Sequence, residues 1–222
     1  MKLNNIELEW LGHATFRIKT SKKLIYIDPY QLTKDDKADI ILITHSHYDH
    51  CSLNDLEKIT KNGTIIVCTP DSQSTIARLD FKVNLKLIEP NQEITIDGIK
   101  IKAVPSYNAN KKFHPKSERY VGYVIEIGST KIYHAGDTDL IKEMQELTGY
   151  GKKENTFIAL LPIGGTYTMT AEEASKAATL IKPSIAIPMH YGSIVGSTND
   201  AKKFSELCEK QGIRVEILEK EN

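Results

Sequence analysis

The amino-acid sequence predicts an α+β fold in which two packed β-sheets are covered by helices on their outer faces, a four-layer αββα sandwich. Short apolar runs typical of strands recur in both halves of the chain. A few segments with helix start signals lie between those runs. The 222 residues, 40% of them hydrophobic, are enough to bury one large core. We therefore expect a single domain over residues 1–222.

Strands are predicted in runs rich in β-branched and aromatic residues, separated by turn signals such as "DG" and "GST". In chain order the runs are "IELEWLG", "TFRIKT", "KLIYIDP", "DIILITH", "TIIVCT", "KVNLKLI", "QEITIDG", "IKIKAVPS", "GYVIEIG", "KIYHAG", "TFIALLP", "SIAIPMH" and "RVEILE". Because they occupy both halves of the chain, they supply enough strands for two sheets.

Helices are predicted where capping residues precede apolar runs. Ser52 stands three residues before Asp55 at the start of "SLNDLEKITK", and Thr170 stands three before Glu173 at the start of "TAEEASKAATLI". Further helices are predicted over residues 71–79, 139–147 and 199–211, the last of which ends before Gly212.

Composition excludes several classes of function. Lys plus Arg equals Asp plus Glu at 29 each, so no global charge attracts nucleic acid or an anionic membrane. The three cysteines form no CxxC pair, the N-terminus resembles no secretion signal, and no apolar run approaches about 20 residues. We expect a reduced, cytoplasmic protein without membrane insertion, whose partner is a small molecule chosen by a local site. The oligomeric state, including a homo-oligomer, stays open.

The stretch "HSHYDH" places three imidazoles and one carboxylate within six residues, directly after the apolar run "DIILIT". Such crowding of polar rings is costly without a bound partner, and a metal ion is the simplest one. If the segment stays extended, His45 and His47 project to the same side and hold one ion. The chain must turn before Ser52, so Asp49 and His50 are directed to a neighbouring point and hold a second ion.

Two later strands also end in residues of metal-ligand type. "KIYHAGD" leads into Asp137, and "SIAIPMH" leads into His190. Strand ends at one edge of a sheet can converge on a single site. Asp137 has an alternative role as a cap of the helix that follows it.

The motif "HSHYDH" matches the H-x-H-x-D-H signature of the metallo-β-lactamase superfamily. The later "GD" and "H", each directly after a strand, resemble the downstream ligand positions of that superfamily. More narrowly, "EWLGHATFRI", "YHAGDT", "LLPIGGTYTM" and "IPMHYG" resemble the branch that contains L-ascorbate-6-phosphate lactonase and the phospholipase D acting on N-acyl phosphatidylethanolamines. The resemblance covers nearly the whole chain. It implies the αββα fold of the metallo-β-lactamase type and a metal-dependent hydrolase.

The resemblance also implies a ligand set. His45 and His47 would bind the first metal, Asp49, His50 and His190 the second, and Asp137 would bridge the two. The first site needs one more imidazole, from His114 or His134. Because His134 lies at an odd offset from Asp137 in a strand, and because His114 precedes Pro115 in a polar loop, we favour His114.

Several further residues have a functional and a structural interpretation. His13 either lines the pocket or hydrogen-bonds within the sheet, and Asp28 either orients a ligand histidine or forms a turn. Tyr107, Tyr167 and Tyr191 are candidates to bind the substrate or its leaving group, although each also fits a packing role. Cys51 adjoins His50 but does not match a ligand position of the superfamily motif, so we leave it out of the site.

The expected activity is that of a dinuclear metal-dependent hydrolase in which a metal-bridging hydroxide attacks the substrate. Asp49 and Asp137 are the expected catalytic carboxylates, and the cofactors are two divalent ions. Zinc is the expected metal, although manganese, iron or nickel accept the same ligands. Residual positive charge in the site favours an anionic substrate, a phosphodiester or a phosphorylated small molecule. The alternatives are a lactonase or esterase of the same fold and a non-catalytic metal-binding sensor.

Overall fold

The structure of the chain, a computed structural model, describes residues 1–151 and 154–221. The described chain divides into two compact units. The first comprises Met1–Ile88 together with the C-terminal residues from Leu218, and the second comprises Glu89–Ile217. Each unit contains one β-sheet, so the predicted pair of sheets is present.

The first unit is built on a seven-stranded sheet in which the strand order follows the chain order. Pairing is antiparallel from the first to the fourth strand and parallel from the fourth to the seventh. The strands are β1 (Lys2–Leu3), β2 (Ile6–Gly12), β3 (Thr15–Thr20), β4 (Leu24–Ile27), β5 (Ile40–Ile43), β6 (Ile65–Cys68) and β7 (Asn84–Leu87). All except β1 lie within predicted runs, and β1 is too short to give a recognisable pattern.

An irregularity in the hairpin between β2 and β3 directs one histidine away from the regular pleat. The strand register shifts between Trp10 and Gly12. Gly12 (φ +105°) and His13 (φ +51°) both have left-handed backbone, and the indole Nε1 of Trp10 donates a hydrogen bond to the carbonyl oxygen of His13 over 2.9 Å. This turn determines where the His13 side chain lies.

The first helix of this unit begins and ends close to its prediction. Helix α1 (Leu53–Ile59) begins after Ser52, whose side chain accepts a hydrogen bond from the backbone N–H of Asp55. The helix buries Leu56 and Ile59 in the apolar cluster of the unit. The helix predicted over 71–79 is much shorter: a 3₁₀ turn at Pro70–Ser72 leads into the single turn of α2 (Gln73–Ile76).

The second unit is built on a six-stranded sheet whose order again follows the chain. Pairing is antiparallel among its first four strands and parallel among its last three. The strands are β8 (Glu93–Ile96), β9 (Ile99–Pro105), β10 (Val121–Ile127), β11 (Thr130–His134), β12 (Thr156–Pro162) and β13 (Ile185–Met189). Each agrees with a predicted run to within about one residue at its start.

Two helices of the second unit have complete capping boxes. Helix α3 (Ala171–Ile181) begins with the reciprocal hydrogen bonds of Thr170 and Glu173, as predicted. Helix α4 (Thr198–Glu209) begins in the same way with Ser197 and Asp200, and it ends before Gly212, whose φ is +73°. The predicted helix over 199–211 is therefore confirmed, with its start one residue earlier and its end two residues earlier.

Two predicted elements are wrong. The segment 139–147 forms a 3₁₀ turn over Lys142–Leu147 and no α-helix, because Asp139 is used in hydrogen bonds to a neighbouring loop and the turn begins after Ile141. The run "RVEILE" forms no strand. Val215 makes one isolated bridge with Ala186, and the chain does not continue that pairing.

Among the described residues, no helix combines the length and the apolar character that a membrane crossing requires.

Candidate metal centre

The segment after β5 brings three histidines of the first unit close together. His45 and His50 are buried and His47 is half-buried. The ring centroid of His45 lies 4.5 Å from that of His47 and 4.2 Å from that of His50. The backbone N–H groups of His50 and Cys51 both donate hydrogen bonds to the carbonyl oxygen of His47, so the chain turns here, as predicted. The segment therefore offers several imidazole nitrogens to one small volume.

The carboxylate of Asp28, at the end of β4, fixes the protonation pattern of two of these rings. Its Oδ2 accepts a hydrogen bond from the Thr44 hydroxyl over 2.7 Å and lies 2.8 Å from Nδ1 of His50. A carboxylate that already accepts from a hydroxyl also accepts from this imidazole, so His50 carries its proton on Nδ1. The lone pair of His50 is then on Nε2, where a metal ligand needs it.

The same carboxylate acts on His45 through Thr44. The Thr44 hydroxyl has one hydrogen, which it donates to Asp28, and its oxygen lies 2.9 Å from Nδ1 of His45. The hydroxyl oxygen must therefore accept a hydrogen bond from that nitrogen. His45 also carries its proton on Nδ1 and has the lone pair on Nε2. One buried carboxylate thus prepares two imidazoles for metal binding.

His13 and Asp49 form a further pair in the first unit. Nε2 of His13 lies 2.9 Å from Oδ2 of Asp49, and the His13 side chain is buried. The ligand-type atoms of His13, Asp49 and His50 all lie within 4.8 Å of one another. The His13 side chain therefore contacts Asp49 of the "HSHYDH" segment.

In the second unit, two imidazoles point at one carboxylate oxygen. Oδ2 of Asp137 lies 3.3 Å from Nε2 of His114 and 3.1 Å from Nε2 of His190, and all three side chains are buried. Nitrogens directed at a common oxygen are the arrangement expected of ligands that share a cation. Asp137 does not cap a helix, since the next helical turn begins at Lys142, five residues after it, and is preceded by Ile141.

A polar chain holds His114 in place. Oδ1 of Asn108 accepts a hydrogen bond from the backbone N–H of His114 over 3.0 Å and lies 3.1 Å from its Nδ1. The amide nitrogen of Asn108 donates to Oδ1 of Asp139 and to the carbonyl oxygen of Tyr167, which fixes the amide orientation. Asp139 in turn accepts from the ammonium of Lys111. His114 therefore carries its proton on Nδ1 and directs its Nε2 at Asp137.

Three of the candidate residues have left-handed backbone, which is uncommon outside glycine. The φ angles are +51° at His13, +46° at Asp28 and +60° at His190. Strained conformations of this kind persist where the surrounding structure holds them, and they cluster at functional sites. Beside His190, a Cβ atom on Gly164 would lie 2.6 Å from the His190 carbonyl oxygen, so glycine is required at that position.

The other candidates have varied surroundings. His134 is buried, and its Nδ1 accepts a hydrogen bond from the backbone N–H of Gly136 over 3.2 Å. The hydroxyl of Tyr107 donates to Glu143 over 2.8 Å. Tyr191 is buried, which raises the pKa of its phenol. Tyr167 makes an edge contact with Phe113, with 4.7 Å between the ring centroids.

Cys51, which we left out of the site, is a buried thiol. Burial and the nearby carboxylates of Asp28 and Asp71 raise its pKa to about 12. A thiol with this pKa stays protonated at neutral pH in the metal-free protein.

Sequence reasoning missed Thr44, Asn108 and Asp139, which orient histidines without being ligand types of the motif. Thr44 directly precedes His45 and could have been found from that adjacency. Nothing in the sequence connects Asn108 with Asp139, because their hydrogen bond joins two loops. The donor set as a whole, imidazole and carboxylate without thiolate, suits zinc, manganese, iron or nickel.

Comparisons with known proteins identify the family of the chain. A family model for the β-lactamase superfamily domain matches residues 7–190. A UPF0173 metal-dependent hydrolase of Thermoplasma acidophilum is 37% identical and covers 98% of this chain and 97% of its own length. A UPF0173 metal-dependent hydrolase of Thermococcus onnurineus is also 37% identical, with 96% of this chain and 95% of the relative covered.

Solved structures give the same result. The crystal structure of a putative metal-dependent hydrolase from Parabacteroides distasonis matches with a TM-score of 0.82 and 31% identity, covering 96% of this chain and 94% of that one. Igni18, a metallo hydrolase from the archaeon Ignicoccus hospitalis, matches with a TM-score of 0.77 and 26% identity, covering 98% and 96%.

The fold and the histidine-rich motif thus define a protein of the metallo-β-lactamase fold, and the predicted fold class is confirmed. Within that class, the chain belongs to the UPF0173 family, and the two relatives above are named metal-dependent hydrolases.

Proposed function

We propose that the chain is a dinuclear metal-dependent hydrolase acting on a phosphodiester or a phosphorylated small molecule. The protonation pattern set by Asp28 carries the proposal. A buried carboxylate that takes the Nδ1 proton of His50 directly, and that of His45 through Thr44, leaves both Nε2 lone pairs for a cation. Structural packing alone gives no reason for this arrangement.

The proposed ligands come from both units. His45, His47 and His114 would hold the first ion, Asp49, His50 and His190 would hold the second, and Asp137 would be shared by the two sites. The family model matches residues 7–190 as one domain, and this range includes residues of both units. We therefore propose that residues 1–222 act as a single hydrolase domain, with zinc as the metal.

The bound ions would polarise the scissile bond and make hydroxide available near neutral pH. The chain's own residues hold the ligand geometry: Asp28 and Thr44 in the first unit, Asn108 and Asp139 in the second. Two divalent ions carry more positive charge than the carboxylates of Asp49 and Asp137 neutralise, so an anionic substrate is favoured. This charge balance, together with the resemblance to the ascorbate-6-phosphate lactonase and phospholipase D branch, supports phosphorylated substrates over neutral lactones and esters.

The test is metal analysis of the purified protein combined with a panel of bis-aryl phosphate, cyclic nucleotide, lactone and aryl ester substrates. We expect about two transition-metal ions per chain and turnover of a phosphodiester. His45→Ala and Asp137→Ala should lose metal and activity together. His134→Ala is the matched control, since it removes a buried histidine outside the proposed ligand set.

Three results would contradict the proposal in whole or in part. Unchanged metal content and turnover in His45→Ala and Asp137→Ala would exclude the assigned ligands. Full metal loading without turnover of any member of the panel would instead favour the non-catalytic sensor. Turnover confined to lactones or neutral esters would leave the metal centre in place and overturn the substrate class.

A further inference from the structure

A groove on the first unit lies against the metal-binding segment. We call it the tyrosine groove. Its lining includes Tyr30, Ser46, Tyr48, Ser52, Thr75 and Arg78. Its volume of about 480 Å³ is within the range of small-molecule sites. Ser46 and Tyr48 are chain neighbours of His45, His47 and Asp49, so the groove borders the segment that contains these proposed ligands.

Among the described lining residues of the groove, Arg78 is the one with a charged side chain. Arg78 is exposed, and within residues 1–151 and 154–221 its guanidinium makes no ion pair. The groove has no carboxylate among its described lining residues, which are otherwise hydroxyl, amide, thiol or apolar. An arginine that is not neutralised by an acid, beside hydroxyl groups, is a recognition site for a carboxylate, phosphate or sulfonate.

The groove also has an aromatic wall. The Tyr48 side chain is 66% exposed and makes an edge contact with Tyr30, with 5.8 Å between the ring centroids. Tyr30 in turn packs against His13 at 5.6 Å, and His13 pairs with Asp49. A large aromatic ring left in water beside an arginine offers apolar contact to a bound molecule. The aromatic contacts therefore lead from the groove to Asp49, one of the candidate metal ligands.

Two lining residues of the groove are held by hydrogen bonds to buried or half-buried carboxylates. The backbone N–H of Ser46 donates a hydrogen bond to Oδ2 of Asp71 over 2.8 Å, and the hydroxyl of Ser52 donates to Asp55 over 2.7 Å. These bonds hold the two loops that border the groove, and a preformed site loses less entropy when it binds its ligand.

We propose that the tyrosine groove binds the non-reacting anionic end of the substrate, with Arg78 contacting the anion and Tyr48 the planar or apolar part next to it. The inference rests on the proposed function, since it specifies the substrate of that same site: an anionic small molecule with a second polar end.

The test uses a pair of ligands that the protein does not hydrolyse. 2-Naphthalenesulfonate carries a weakly metal-binding anion, and 2-naphthyl methyl sulfone is its neutral counterpart. Fluorescence titration of the metal-loaded full chain should give sulfonate binding about tenfold tighter than sulfone binding. In Arg78→Gln the Kd for the sulfonate should rise about tenfold, whereas that for the sulfone should stay within about twofold. In Tyr48→Ala both should weaken.

Arg214→Gln is the matched control, because it removes an exposed guanidinium in the second unit. It should leave both dissociation constants unchanged. The proposal for the groove is wrong if the wild type binds both ligands equally or binds neither. It is also wrong if Arg78→Gln binds the sulfonate as tightly as the wild type does. Because neither ligand is hydrolysed, these results are separate from the metal analysis and the substrate panel that test the proposed function.

Discussion

Asp28 is the residue on which the candidate metal ligands of the first unit most depend. It has left-handed backbone, it is fully buried, and each of its carboxylate oxygens is used: Oδ1 accepts from the backbone N–H of Thr44, and Oδ2 faces the Thr44 hydroxyl and His50. Every one of these neighbours acts as a donor toward it. An asparagine could not replace this carboxylate without loss, because its NH₂ group donates hydrogen bonds and cannot accept from any of the three donors.

We therefore predict that Asp28→Asn lowers metal affinity about 10- to 100-fold. The amide nitrogen would face either the Thr44 N–H or His50 Nδ1, and in the second case it would place the His50 proton on Nε2, where it blocks the metal. Competition with a chromophoric chelator measures the affinity. Asp39→Asn, a carboxylate of the same unit that pairs with Lys61, is the control and should bind metal normally. Wild-type affinity in a folded Asp28→Asn protein would refute the role assigned to Asp28.

The choice between His114 and His134 is a second prediction at this scale. His114→Ala should reduce zinc affinity strongly, because its Nε2 faces Asp137, whereas His134→Ala should bind zinc nearly as the wild type does. Isothermal titration of the two variants side by side measures this. A loss confined to His134→Ala would reverse the assignment.

Residue types indicated the candidate ligands and offered Asp28 as a residue that orients one of them, but they did not indicate Thr44, Asn108 or Asp139. The motif contains His45 and His50, and spacing within the motif was enough to select them. The protonation state of His50 depends on Asp28, whereas that of His114 depends on Asn108, which a hydrogen bond to Asp139 from another loop holds in orientation. Such contacts leave no periodic or local signal, so the tertiary structure is needed to find them.

At the scale of elements, helix α1 is tied to the preceding loop by one carboxylate. Asp55 accepts hydrogen bonds from the Ser52 hydroxyl, from Lys58 and from the backbone N–H groups of Gln31 and Leu32. Burial raises the pKa of Asp55, but these hydrogen bonds outweigh it and hold the pKa below its ordinary value. The carboxylate thus stabilises the helix start and the loop together.

Asp55→Asn should lower the free energy of unfolding by about 2 kcal/mol at pH 7. Because the folded pKa lies below the unfolded one, the stabilisation is fully present above the unfolded pKa of about 3.9 and disappears as pH falls through the folded pKa. The difference between wild type and variant should therefore shrink at about pH 3. Urea unfolding at the two pH values measures it. Glu57→Gln, on the exposed side of α1, should change stability by less than about 0.5 kcal/mol, and a pH-independent difference for Asp55→Asn would contradict the argument.

Elements with a continuous partner were predictable, and those without one were not. "TFRIKT" and "TFIALLP" coincide with β3 and β12, because each pairs along its length with neighbouring strands. "RVEILE" begins with the same alternation as "TFRIKT", yet the backbone groups of Arg214 and Glu216 bond to Ala186. Glu221, two residues after the run, bonds to Trp10. A run that changes neighbour after a few residues cannot form a strand, and its own sequence does not reveal the change.

At the scale of the molecule, metal binding and stability should be linked. Imidazole and carboxylate ligands bind the ion in the folded state, so free metal at about 100 times its Kd adds about 2.7 kcal/mol to the free energy of unfolding. For a chain of this size that corresponds to a rise in Tm of about 5–10 °C. Differential scanning calorimetry with and without chelator measures the shift. His45→Ala should show a smaller shift, and an equal shift in both proteins would show that the stabilising metal binds elsewhere.

The strand order of the two sheets has a consequence for how the protein folds. In both sheets each strand lies beside the next one in the chain, so pairing closes only the loops between consecutive strands, and the entropy lost in closing them is small. Most of the first sheet can therefore assemble while the ribosome is still adding the second unit. The contact of Lys220 and Glu221 with Trp10 is different, because its partners lie on either side of the whole second unit in the sequence, so it can form only after that unit has been synthesised. In pulse-labelled hydrogen exchange during refolding, amides in the β3–β6 region should gain protection before the amide of Glu221.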